Sequence, residues 1–153
     1  MLRVAVGLLG SILVCSCSSG YEPARSPRIA IVVEGGSPTF VKDGTRSGST
    51  LFGGGLVDAV RGNPRAEEQA RIARNLTIGG FVLDLAGFGS EVGGFVALAH
   101  EPSSNGHSSA LGAGLLLGGL GAVLAGTIML ISAPPHIYDA VNIYNDGVDS
   151  ARH

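Results

Sequence analysis

The stretch LGAGLLLGGLGAVLAGTIMLI, residues 111–131, leaves this chain few possible folds. It contains no charged residue, and no Asp, Glu, Lys or Arg occurs between Pro102 and Tyr138. A helix needs about 20 apolar residues to cross a bilayer core, so the segment is long enough to do so. Its small residues are also regularly spaced. Gly114, Gly118, Ala122 and Gly126 recur every four positions, which puts them in one stripe along a helix. Close backbone approach along such a stripe associates helices in lipid, where burying leucine brings no hydrophobic gain. The spacing predicts that these four residues form a helix-packing surface.

A second apolar segment, LTIGGFVLDLAGFGSEVGGFVALA, occupies residues 76–99. Gly80, Gly87 and Gly94 recur every seven residues, and Asp84 and Glu91 follow the same period, offset by four. Glycines and acids therefore share a seam, with Phe81, Leu85, Phe88, Val92 and Phe95 pointing elsewhere. A carboxylate facing hydrocarbon costs about 2.5–3.5 kcal/mol on insertion scales. The seam thus belongs against a partner helix or a wet cavity. Asp84 and Glu91 form a candidate intramembrane polar site, either as a proton-handling or ion-coordinating pair or as two acids facing a polar gap in a helical hairpin.

The rest of the composition agrees with a membrane address. The chain has 153 residues, 25 of them glycine, 14% charged, with mean hydropathy +0.37; soluble proteins average about 7% glycine and 25% charged residues. A net charge of −2 speaks against a nucleic-acid partner, which is usually met by a basic patch.

The N-terminus reads as an export signal, with Arg3, an apolar stretch from Val4 to Val14, and small residues before Cys17. The run Val14-Cys15-Ser16-Cys17, followed by Ser18, Ser19 and Gly20, resembles the lipobox of bacterial lipoproteins. That resemblance implies removal of residues 1–16 and fatty acylation, by palmitate or a similar chain, of Cys17 as the new first residue. Ser16 supplies the small residue the family has before its cysteine, whereas Cys15 departs from the pattern. An ordinary signal peptide or an uncleaved anchor is the other reading of these residues. With Cys17 acylated no second thiol remains, so disulfide and CxC chemistry drop out.

Residues 76–131 also resemble the glycine-zipper lipoproteins of the Gram-negative envelope. The flanking FGGGLVDAVRGNPRA and DAVNIYNDG are similar to small uncharacterised bacterial two-helix membrane proteins. These likenesses imply helix packing and a membrane setting, with no activity attached.

In chain order, residues 17–27 form a proline-containing tether and residues 28–62 a small β-rich head. Strands are expected over Arg28–Val33, Thr39–Lys42 and Thr45–Ser47, with Asp43-Gly44 as the hairpin turn. A short helix follows over Leu56–Val60. Asn63 and Pro64 suit a helix start, as cap and first residue, and one helix is expected from about Pro64 to Ala99, with Glu67 and Arg71 as an i, i+4 ion pair. The polar connection His100–Ser109 turns the chain back to complete a hairpin spanning residues 63–132. Ser132-Ala133-Pro134-Pro135 should end the second long helix. Residues 136–147 then read as a separate amphipathic helix stopped by Gly147, with Tyr138 and Tyr144 at a membrane interface. The fold class is α+β.

Arg61, Arg65, Arg71, Arg74 and Arg152 lie on the terminal side of the hairpin, which would place both termini in the cytoplasm by the positive-inside rule. The export signal puts them outside. Because Asp84, Glu91 and six glycines weaken the first segment, passage through the inner membrane is expected, giving an outer-membrane lipoprotein with a periplasmic head.

No site for chemistry emerges. Gly53-Gly54-Gly55 lacks a following Lys-Ser/Thr pair, His100, His107, His136 and His153 are scattered without ligand spacing, and there is no G-x-S-x-G elbow. The expectation is a non-enzymatic envelope protein without cofactor or metal, partnered by membrane lipid and by copies of itself. The alternative is an accessory subunit docking into a larger membrane complex through its acidic seam. A remoter possibility is a soluble exported domain with both apolar helices in its core.

Overall fold

A computed structural model describes residues 22–34, 37–47, 54–99 and 107–151. The signal segment with Cys17, Gly53, the connection through Gly106, and His153 lie outside the described residues. The fold is α+β: a three-stranded antiparallel sheet followed by three helices, two of them long.

Strands β1 (Ala30–Glu34), β2 (Ser37–Lys42) and β3 (Thr45–Ser47) pair in the order β1-β2-β3. Asp43 and Gly44 join β2 to β3 with φ of 52° and 79°, the paired positive values of a turn whose twist matches a hairpin. Three short strands do not stand alone unless one face is packed. Here the sheet rests on α1 (Gly54–Ala59), on the start of α2 (Pro64–Ala99) and on the end of α3 (His107–Ser150). Phe40, Leu56 and Val60 are the largest fully buried side chains of this core, and Ala66 and Ala140 bring the two long helices into it.

The start of α2 follows from its cap. Asn63 Oδ1 accepts from the Ala66 N–H at 3.2 Å, Glu67 Oε1 reaches back to the Gly62 N–H at 2.9 Å, and Pro64 occupies the first position, where no N–H is needed. Glu67 also pairs with Arg71 at 3.2 Å.

At its C-terminal end α3 departs from the sequence reading. It runs unbroken through Pro134-Pro135 to Ser150, so residues 136–147 are not a separate helix. An interior proline costs about 3 kcal/mol or more by removing a helical N–H and crowding the preceding turn. Both prolines lie on the exposed side, while Ala133 and Ala140 are buried. Packing on each side of the prolines therefore holds the helix in line. Gly147 does not stop the helix either: a Cβ there would meet Asn63 Nδ2 at 2.9 Å. The missing side chain leaves room for Asn63, which donates to the Ile143 carbonyl at 3.3 Å.

Asn145 fastens the head to α3. It is buried, its Oδ1 accepts from the Ile29 N–H at 2.8 Å, and its Nδ2 donates to the Ile29 carbonyl at 3.1 Å. One side-chain amide thus satisfies both backbone groups of the residue that leads into β1. Tyr144 packs beside this core, with Lys42 Nζ 4.5 Å from its ring centroid. Tyr144 is thus part of the head's packing, whereas Tyr138 is exposed.

Replacing Asn145 by alanine leaves the Ile29 N–H and carbonyl buried without partners, at about 1–3 kcal/mol for each unsatisfied group. Asn145→Ala should therefore loosen the sheet before the hairpin. Amide exchange should accelerate across residues 29–34 while residues 80–98 keep their protection.

Candidate functional site

The contact between α2 and α3 dominates the tertiary structure, and small residues make it. Along α2 the buried residues Ala66, Ala73, Gly80, Gly87 and Gly94 recur every seven positions. Along α3 the buried set Gly112, Gly119, Gly126, Ala133 and Ala140 does the same. A strict seven-residue repeat stays in register with a partner when helices wind left-handedly about each other.

The register is set by carbonyls. A Cβ on Gly80 would meet the Gly126 oxygen at 2.7 Å, one on Gly87 the Gly119 oxygen at 2.6 Å, and one on Gly94 the Gly112 oxygen at 2.8 Å. At each level glycine presents a Cα hydrogen where a methyl group would collide with backbone. Contacts of the Cα–H···O kind are worth about 0.5–1 kcal/mol each. Continued towards the head, the same register sets Ala73 opposite Ala133, Ala66 opposite Ala140 and Asn63 opposite Ile143, where a hydrogen bond crosses the seam.

Side chains from each helix cover the glycines of the other. Leu130, Val123 and Leu116 of α3 lie over Gly80, Gly87 and Gly94. In return Asp84, Glu91 and Leu98 of α2 lie over Gly126, Gly119 and Gly112. The two acids thus occupy knob positions that α3 fills with aliphatic side chains. Both are partly buried, and Asp84 Oδ1 is enclosed with no hydrogen-bond partner among the described residues. Nearby, Ser90 Oγ donates to the Leu115 carbonyl at 2.8 Å across the helices. Asp84 and Glu91 stand one heptad apart, each against the glycine of its own level.

The four-residue stripe expected along α3 is not the contact surface. Gly114 and Gly118 face outward with open space around their Cα atoms, Ala122 is partly buried, and Gly126 lies in the contact. Gly112, Gly119, Ala133 and Ala140 were missed. The seven-residue period already visible in Gly80, Gly87 and Gly94 would have found them.

Away from the seam both helices are apolar. Phe88 is 63% exposed, Phe95 65%, Leu117 72% and Ile131 70%. Residues 76–99 span roughly 36 Å and residues 111–131 roughly 31 Å at 1.5 Å per residue, against about 30 Å for a hydrocarbon core. These are two helices long and apolar enough to cross a membrane, and only 11% of the most apolar stretch of each is buried. Among the described residues no three His, Cys, Asp or Glu side chains are grouped to hold a metal ion.

No protein-family model, no curated protein sequence and no solved structure matches this chain.

The seam separates two neighbouring glycines. Gly119→Leu drives a side chain into the backbone of α2 and should destabilise the hairpin by about 1–3 kcal/mol, the usual cost of overpacking. Gly118→Leu points outward into open space and should not destabilise it, the gain in helix propensity being at most about 1 kcal/mol. Reversible unfolding in mixed micelles, followed by the distance between spin labels at residues 85 and 117, measures both.

Proposed function

We propose that this chain is a non-enzymatic structural or interaction protein of the bacterial cell envelope, embedded through its hairpin and carrying lipid on Cys17. One observation carries the membrane part of this reading. The backbones meet at glycine and alanine, so the phenylalanines and most of the leucines of both helices are left on the outside over a bilayer's thickness. A water-soluble domain would turn those side chains into its core.

Self-association of the helices is met first within one chain, since Gly80, Gly87 and Gly94 are covered by α3. The same holds for the acids. Asp84 and Glu91 lie against Gly126 and Gly119 of their own hairpin, which supports an internal packing role over docking into a larger complex. Acylation and the periplasmic side of the outer membrane rest on the lipobox resemblance of residues 14–17.

Envelope fractionation after growth with labelled palmitate tests the reading. Wild-type protein should carry label and enter the outer-membrane fraction. Cys17→Ser should lose the label yet still need detergent for extraction, because the hairpin remains. A Cys17→Ser protein that is monomeric in buffer without detergent would overturn membrane embedding, and an unlabelled wild type would overturn the lipoprotein reading alone. A thiol probe on Thr45→Cys that reacts only from the cytoplasm would overturn the orientation.

A further inference from the structure

Where head meets hairpin, the inner face of the sheet runs down α3. Ile29 is held at Asn145 and lies in the core, whereas Val33 and Pro38 reach the level of Pro134. There the packing opens. Ile31, Val33, Pro38, Pro134, Ile137 and Tyr138 line an apolar crevice of about 270 Å³, with Val33 43% and Tyr138 59% exposed.

This crevice continues the apolar outer surface of the hairpin. Leu117, Leu124, Ile131 and Tyr138 recur every seven residues, all exposed, so one outward stripe of α3 leads directly into it. Pro134 lies three residues beyond Ile131, about 4.5 Å along the helix, which is where the apolar segment ends. Two further features suit the boundary between hydrocarbon and water. Pro134 and Pro135 have no N–H, so the Leu130 and Ile131 carbonyls receive no hydrogen bond from four residues on; such acceptors need donors that a bilayer core lacks and its interface supplies. In the seam register the exposed Arg74 of α2 stands at the height of Ser132, where its guanidinium is at headgroup level. Two other crevices among the described residues, one beside Asn63 and Asp146 and one beside Glu22 and Arg46, lie among charged side chains.

The geometry points to a lipid site: the crevice seats an acyl chain of a bilayer phospholipid whose headgroup lies at the height of Arg74, holding the sheet against the membrane surface. The inference rests on the membrane reading of the hairpin and adds to it a defined lipid contact made by the head.

The chain contains no tryptophan, so a single introduced indole reports its own surroundings. Tyr138→Trp, Val33→Trp, Leu124→Trp and Glu68→Trp would each be reconstituted as the full chain in phosphatidylethanolamine/phosphatidylglycerol vesicles with bromine on the acyl chains. Leu124→Trp reports the hairpin, and Glu68→Trp reports the height of Tyr138 on α2, away from the crevice. Tyr138→Trp and Val33→Trp should lose most of their fluorescence to bromine near the headgroup end of the chain, Leu124→Trp to bromine deeper in it, and Glu68→Trp should lose little. Quenching of Leu124→Trp alone would overturn the lipid site and leave the membrane reading intact. Equal quenching of Glu68→Trp and Tyr138→Trp would replace the site by a uniform surface contact. Concentration-dependent crosslinking through Val33→Cys without bromine quenching would give the crevice to a second copy, and no quenching anywhere would overturn the membrane reading and the lipid site together.

Discussion

The rest of the structure depends on how closely two backbones approach. Between Gly80 and Gly126, Gly87 and Gly119, and Gly94 and Gly112 there is no room for a methyl group. Helices this close gain dispersion and carbonyl contacts along their whole facing surface. Between them they half-bury only a few apolar side chains, chiefly Leu116, Val123 and Leu130. The phenylalanines and most of the leucines that make residues 76–99 and 111–131 apolar therefore face outward, and a lipid environment suits that arrangement.

Within the seam the two helices are unequal. The knobs from α3 are Leu116, Val123 and Leu130, whereas α2 offers Leu98, Glu91 and Asp84. An enclosed carboxylate oxygen without a partner costs about 1–3 kcal/mol or more, so the Asp84 level is the least favourable of the three. The Asp84 level is also the one nearest the head, where Ala73 and Ala133, Ala66 and Ala140 continue the same packing. Tight alanine contacts on the head side and glycine contacts beyond it bracket the acid and hold it in place.

The head in turn borrows its stability from the hairpin. Three short strands gain a core because α2 and α3 extend past their apolar segments and supply Ala66, Ala70, Ala140 and Val141. Asn145 then ties Ile29 to α3 through both its backbone groups, and Asn63 caps α2 while bonding across to Ile143. Head and hairpin thus share one continuous pair of helices.

Local signals in the sequence accounted for much of this. Asp43-Gly44 specifies its turn because both residues tolerate positive φ, Asn63-Pro64 specifies a helix start, and the long uncharged run specifies an apolar helix, each by chemistry within a few residues. The partner face of α3 and the fate of Pro134-Pro135 could not be read that way. Gly114, Gly118, Ala122 and Gly126 form as good a stripe in an isolated helix as Gly112, Gly119 and Gly126. Only α2, with its own seven-residue period, selects between them, since interlocking helices must share a repeat. The prolines likewise break an isolated helix, and Ala133 and Ala140, held in phase against α2 on either side, keep this one continuous. The sequence by itself determined where helices and turns begin; the tertiary structure alone decided which glycines touch, because that choice belongs to two helices at once.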